Sequence, residues 1–128
     1  MKLTHSGLSA TSEEHADRFY HDLLGLEKHP PKSLSAALAG AIFDINMDMR
    51  MIHYIGHGVH MEIFVHPDLK IQGPRVDHLC LEVENREDFL NRAEALGFQV
   101  SRIDKDGKSV IFVRDFDGNC FEIKASQV

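Results

Sequence analysis

Tryptophan is absent from this 128-residue chain and tyrosine occurs twice, so a binding surface walled by broad flat rings has little material to draw on. Cysteine is as scarce. Two thiols, Cys80 and Cys120, allow one bridge at most, too few for a disulfide framework, and point to an intracellular, cytoplasmic setting. Positive charge is in deficit, with a net charge of −6 and no basic run, which speaks against a nucleic-acid footprint or an anionic membrane surface. No apolar stretch approaches the roughly 18 residues of a spanning helix, and the opening MKLTHSG does not read as a secretory leader. The length and composition are those of a soluble globular protein with one domain over 1–128.

What the chain does contain is one pattern written twice. Residues 2–10 alternate as a strand, and Thr11-Ser12-Glu13-Glu14 reads as a capping box with Thr11 as N-cap. Ala16, Phe19, Tyr20, Leu23 and Leu24 follow at helical spacing and Gly25 stops the helix. Residues 76–83 repeat the strand, Asn85 caps a helix through Phe89, Ala93 and Leu96, and Gly97 ends it. Laying His5 on His78 brings Leu8 onto Leu81 and Leu-Gly-Leu-Glu (24–27) onto Leu-Gly-Phe-Gln (96–99), one residue out of step. Two modules are expected, roughly 1–67 and 75–125, joined by a turn-like segment from Pro67 to Pro74. Further strands are expected near 49–55 and 60–66 in the first, and 98–103, 108–114 and 119–125 in the second. Pro30-Pro31 and an Ala-rich helix over 34–42 interrupt the first copy without a counterpart, which leaves its second strand unplaced.

The stretch from Ser109 to Lys124 carries the most information. An apolar run ends at Arg114, the turn residues Asp115, Asp117, Gly118 and Asn119 follow, and a second run carries Glu122 between Phe121 and Ile123. That is a β-hairpin with a carboxylate in an apolar strand, a costly place for a charge without a partner or a metal. Gly58-Val-His-Met-Glu62 repeats the spacing of Gly118-Asn-Cys-Phe-Glu122. The repeat thus selects His5, Glu62, His78 and Glu122 at equivalent positions on four strands. Taken singly, each is more often an edge histidine or a solvent-facing glutamate; agreement across both copies favours a shared role. Two imidazoles and two carboxylates suit Zn²⁺, Ni²⁺, Co²⁺, Fe²⁺ or Mn²⁺.

With His5, FYHDLLGLE (19–27), HMEIF (60–64), VDHLCLEV (76–83) and RDFDGNCFEI (114–123) in place, the sequence resembles the vicinal oxygen chelate superfamily. That superfamily includes glyoxalase I, methylmalonyl-CoA epimerase, extradiol dioxygenases and bleomycin- or fosfomycin-resistance proteins. The resemblance implies an α+β fold of two tandem βαβββ modules, forming a U-shaped, partly closed mixed sheet with helices outside, a divalent metal ion and a homodimer. His5, Glu62, His78 and Glu122 match the glyoxalase I ligand set position by position. Related epimerases carry Gln where Glu62 stands, and the dioxygenases and fosfomycin-resistance enzymes use three ligands, at the positions of His5, His78 and Glu122. Two positions depart from glyoxalase I: Ser9 stands where an arginine helps bind the glutathione carboxylate, and His66 where an asparagine is expected. Use of glutathione is therefore not implied.

A divalent cation holding two substrate oxygens acidifies the C–H between them and stabilises the resulting enediolate. The expected activity is that of a lyase, isomerase or epimerase on a small carbonyl or thioester substrate, with Glu122 as base and Glu62 as its partner. Ser9, His60, Phe64, His66, Cys80, Cys120 and Arg114 are the candidates for the substrate pocket. Cys80 and Cys120 read more readily as small buried fillers, and the irregular spacing of His53, His57, His60 and His66 favours solvated loop and strand residues over a second metal site. The alternatives are a three-ligand dioxygenase or thiol transferase, or a metal-free antibiotic-binding protein. The lack of tryptophan counts against the last.

Overall fold

The computed structural model describes residues 1–68 and 75–127 and divides into two units, 1–70 and 71–128. In the first, β1 (Ser6–Ala10) leads into a short helix α1 (Glu13–Ala16) that continues as π-helical turns over Asp17–Leu23. β2 (Glu27–Lys28), β3 (Lys32–Leu34), α2 (Ala36–Phe43), β4 (Met49–Gly56) and β5 (Val59–Val65) follow. The sheet order is β1-β5-β4-β2, with β3 also on β4. β1 runs parallel to β5, and the other pairs are antiparallel. The helix cap is Ser12, whose side chain accepts the His15 N–H, one residue beyond the expected Thr11. Thr11 Oγ1 instead lies 3.2 Å from His15 Nδ1.

Period-two alternation divides this sheet cleanly. Ile52, Tyr54, Met61 and Ile63 are buried, as are Phe19, Tyr20 and Leu23 of the helical segment, and the rings of Tyr20 and Tyr54 stand 5.4 Å apart. Polar bonds tie the two layers together. Tyr54 donates to Asp17 at 2.7 Å, and Lys28 Nζ donates to Glu13 at 2.6 Å and Asp17 at 2.9 Å. The other sheet face carries His60, Glu62 and Phe64, each half-buried.

The unplaced second strand of the first copy is two short strands, β2 and β3, on one partner. The His29 N–H still reaches His53 O at 2.9 Å. Pro30 and Pro31 then have no N–H to donate, so the ladder breaks. Lys28 faces Tyr54 but Lys32 faces Met51, a shift of one residue across the prolines. α2 begins at Ser35, which accepts the Leu38 N–H, and buries Ala39 with Leu34 and Met49.

The second unit contains β6 (Leu79–Val83), α3 (Arg86–Ala95), β7 (Gln99–Lys105), β8 (Lys108–Arg114) and β9 (Cys120–Ala125), in sheet order β6-β9-β8-β7. β6 runs parallel to β9, and the remaining pairs are antiparallel. Asn85 caps α3 through the Asp88 N–H, as its position predicts. α3 buries Phe89, Leu90 and Ala93, while Ile111, Val113, Phe121 and Ile123 are buried in the sheet. Both units therefore follow one strand–helix–strands plan and the molecule is α+β, with two tandem modules. Of the expected Pro67–Pro74 connection, residues 69–74 lie outside the described residues.

Two tight turns fix the registers. His57 and Gly58 between β4 and β5, and Asp106 and Gly107 between β7 and β8, all have positive φ, the two-residue geometry that matches strand twist. The β8–β9 connection is built around Asp115. Its Oδ1 accepts from Asp117 N at 3.0 Å and Asn119 N at 2.8 Å, and its Oδ2 accepts from Asn119 Nδ2 at 2.7 Å. This closes the hairpin expected over 109–124.

Candidate metal-binding pairs

Glu62 occupies the half-buried face of β5, directly beside Gly7 of parallel β1. His5 lies two residues before Gly7, just ahead of the strand, and its Nε2 is 3.5 Å from Glu62 Oε2. The second unit repeats this arrangement. Glu122 stands beside Cys80 of parallel β6, and His78, two residues before Cys80 and again just ahead of its strand, places Nε2 3.9 Å from Glu122 Oε2. The strands expected over 2–10 and 76–83 thus begin later, at Ser6 and Leu79. Both begin where parallel pairing with β5 or β9 begins, which leaves the two histidines at the strand entrances.

Donors that share one cation at about 2.0–2.2 Å each lie roughly 3.0–3.5 Å apart, so the first pair has a suitable spacing and the second is a few tenths of an ångström wider. Both exceed the 2.7–2.9 Å typical of a charge-assisted hydrogen bond. His78 Nδ1 lies 2.8 Å from Val76 O. A carbonyl oxygen only accepts, so Nδ1 carries a proton here, and Nε2 is the ring nitrogen that faces Glu122. This is the outer hydrogen bond that orients a ligating imidazole. Among the described residues no cluster of three or more His, Cys, Asp and Glu is arranged to hold a metal. Each unit supplies two donors of suitable chemistry.

The surroundings of the two carboxylates differ. Across β4, His53 stands opposite Glu62, its Nδ1 3.9 Å from Glu62 Oε2 and 2.7 Å from His60 Nε2. Burial pushes the His53 pKa down, against the attraction of Glu62 and with a further push from His60. In the second unit the residue opposite Glu122 is Phe112, whose ring meets His78 edge-on at 5.8 Å.

Of the proposed pocket residues, Ser9, Phe64 and His66 line one cavity in the first unit, and His60 is bonded to His53. Cys80 is exposed and Cys120 half-buried, neither a buried filler. Partial desolvation by its neighbours, followed by the Glu122 carboxylate, raises the pKa of the exposed Cys80 thiol. Arg114 donates to Gly118 O at 3.2 Å and so braces the hairpin turn. Irregular spacing suggests solvated residues at His53 and His66, but His66 is buried and the His53 side chain is 18% exposed. The partnership of His53 with Glu62 was legible in the His57-Gly58 turn, because a two-residue connection from Gly56 to Val59 places 53 opposite 62.

No protein-family model and no curated protein matches the sequence. Solved structures do match the fold. One is a glyoxalase family protein from Enterococcus faecalis, with a TM-score of 0.72 and 18% identity over 95% of each chain. Another is the fosfomycin resistance protein FosX from Listeria monocytogenes, solved with Mn(II) and 1S,2S-dihydroxypropylphosphonic acid. It has a TM-score of 0.73 and 17% identity, covering 99% of this chain and 94% of that one. A glyoxalase family protein from Bacillus cereus gives 0.73 and 11%, over 98% and 93%. The fold is that of the vicinal oxygen chelate proteins.

Proposed function

We propose that the chain is a metal-dependent enzyme in which His5, Glu62, His78 and Glu122 are the ligands of a divalent cation. The substrate is a small carbonyl or thioester, the reaction that of a lyase, isomerase or epimerase, and the assembly a homodimer. The observation that carries this is the duplicated pair: in each unit a histidine stands two residues before the strand partner of a glutamate. Their nitrogen–oxygen separations are 3.5 and 3.9 Å. The fold shared with FosX supports it, since the FosX complex contains Mn(II) and a molecule with two neighbouring hydroxyls.

The cation, when bound, supplies Lewis-acid polarisation of the substrate oxygens. The chain's own groups orient the substrate and move the proton. Glu122 is the base that removes a proton from the substrate carbon, and Glu62 serves the opposite side. Phe112 gives Glu122 an apolar flank, whereas His53 and His60 give Glu62 a polar one. The Nδ1–H bond of His78 to Val76 O holds the ring with Nε2 toward Glu122.

Elemental analysis of protein purified without chelator is the first test, followed by a panel of α-ketoaldehydes and acyl-CoA thioesters. Bound divalent metal and turnover of one of these classes are expected. Metal-free protein that retains full turnover would refute the assignment. Oxygen uptake with a catechol, or consumption of fosfomycin, would move the chain to the three-ligand alternative.

A further inference from the structure

The two His/Glu pairs are near-copies, but the ground beside them is not. The second unit passes from β7 to β8 through two turn residues. The first inserts α2 and the segment after it, and these wall a cavity of about 250 Å³. Gly7, Ser9, Phe43, Ile45, Met49 and Phe64 line it, with His66. Phe43 ends α2, and its ring meets Phe64 edge-on at 5.0 Å. Ile45 and Phe64 pack against the Leu34, Ala39 and Met49 cluster that seats the helix.

The cavity adjoins Glu62. Gly7 both lines it and is the strand partner of Glu62, and Ser9 stands opposite Phe64 on the same face. A Cβ at position 7 would stand 3.4 Å from Phe64 Cε2, so a side chain there would reach the Phe64 ring that lines the cavity. Among the described residues, no lysine, arginine or carboxylate lines the cavity. Its occupant is therefore uncharged and mostly apolar. An apolar cavity of about 150 Å³ accepts benzene, and a drug-sized ligand needs about 300 Å³ or more. The volume suits one ring or a branched alkyl chain.

We propose that this cavity receives the apolar substituent of the substrate, and that the α2 insertion makes the enzyme selective for aryl or branched-alkyl over methyl-substituted vicinal-oxygen compounds. This rests on the carbonyl chemistry proposed above and names its substrate class. Among the described residues the second unit has no counterpart of α2, since β7 and β8 are joined by Asp106 and Gly107 alone.

The test compares 2-hydroxyacetophenone with hydroxyacetone, which share adjacent carbonyl and hydroxyl oxygens and differ as phenyl against methyl. Affinities are measured by calorimetry and amide NMR shifts on the protein as purified. The phenyl probe should bind about tenfold tighter or more and shift the amides of Phe43, Ile45 and Phe64. Ile45→Phe, which fills the cavity, should bring the two affinities to within about twofold and leave hydroxyacetone unchanged. Should that variant fail to fold, Phe43→Ala removes one wall and should weaken the phenyl probe alone. Equal affinities in the wild type, or a phenyl preference untouched by both variants, would overturn the proposal. Elemental analysis keeps the two ideas apart. Bound metal without phenyl preference removes the pocket assignment alone, and phenyl preference in a metal-free protein removes the metal assignment alone.

Discussion

His5 Nε2 lies 3.5 Å from Glu62 Oε2 across the entrance of the β1–β5 ladder. The relationship recurs between His78 and Glu122 at 3.9 Å, at the entrance of the β6–β9 ladder. In both, the strands are parallel, so a histidine two positions before the glutamate's partner reaches along the sheet toward the carboxylate. A duplicated module conserves this offset automatically, because it is set by register rather than by side-chain packing.

If Glu122 is ligand and base, Glu122→Gln keeps its shape and loses its charge. Bound metal should fall well below the wild-type content, and turnover should fall by about 100-fold or more. Elemental analysis and steady-state kinetics on the same preparation check both. Wild-type metal content with unchanged turnover would remove Glu122 from the site.

His53 gives a contrasting prediction. It faces Glu62 at 3.9 Å but gives its close contact to His60, and its counterpart in the second unit is Phe112. His53→Phe therefore copies what the other half already tolerates. Metal content should stay at the wild-type level, while the NMR signals of the His60 ring shift as its 2.7 Å partner is lost. Loss of the metal in this variant would make His53 a ligand.

Much of this arrangement was legible in the sequence. Local signals carried it: Asn85 as a cap, Gly97 as a stop, the D-x-D-G-N turn, and the equivalent spacing of Glu62 and Glu122. Less legible was what depends on pairing between distant segments. The ladders begin at Ser6 and Leu79, so the histidines lie outside strands that alternation alone extends through them. The second strand of the first copy was hidden because Pro30-Pro31 splits it, and only β4 reveals that both pieces belong to one edge. The cavity was hidden too, since α2 reads as an Ala-rich helix and its role as a wall comes from Phe43 meeting Phe64.

The network under the helical segment should show opposite pH limits. The hydrogen bond from Lys28 holds the Glu13 carboxyl below its ordinary 4.5, outweighing the burial that raises it. Its stabilisation is present above pH 4.5 and lost as pH falls through the lowered folded value. Burial pulls Lys28 down, but its bonds to Glu13 and Asp17 outweigh this and hold it above 10.5. That contribution is present below pH 10.5 and lost as pH rises through the folded value. Lys28→Met should cost about 0.5–1 kcal/mol, as expected for a partly exposed pair. In thermal melts the deficit should be flat between these limits and shrink beyond each. A deficit independent of pH would mean that lost packing, not charge, is responsible.

Asp115 should prove the most sensitive position of the second unit outside its apolar core. It is 7% exposed, and its carboxylate accepts from two backbone N–H groups and from the Asn119 amide. Asp115→Ala leaves those donors unpaired and should cost about 2–3 kcal/mol in urea unfolding. Burial raises its pKa above 3.8, against the lowering effect of the Asn119 bonds. The folded state therefore binds its proton more readily, and this contribution is fully present below pH 3.8 and lost as pH rises through the folded value. Asp115→Asn keeps an oxygen for both backbone donors, and the Asn119 amide can turn to accept from the new NH₂. Its stability relative to wild type should improve as pH rises from 3.8 through the raised folded value. Asn119 lies three residues before Glu122, so Asp115→Ala should also weaken metal binding under conditions where far-UV circular dichroism still reports a folded chain. Unchanged metal affinity in that folded variant would show that the turn sets stability without setting the position of Glu122.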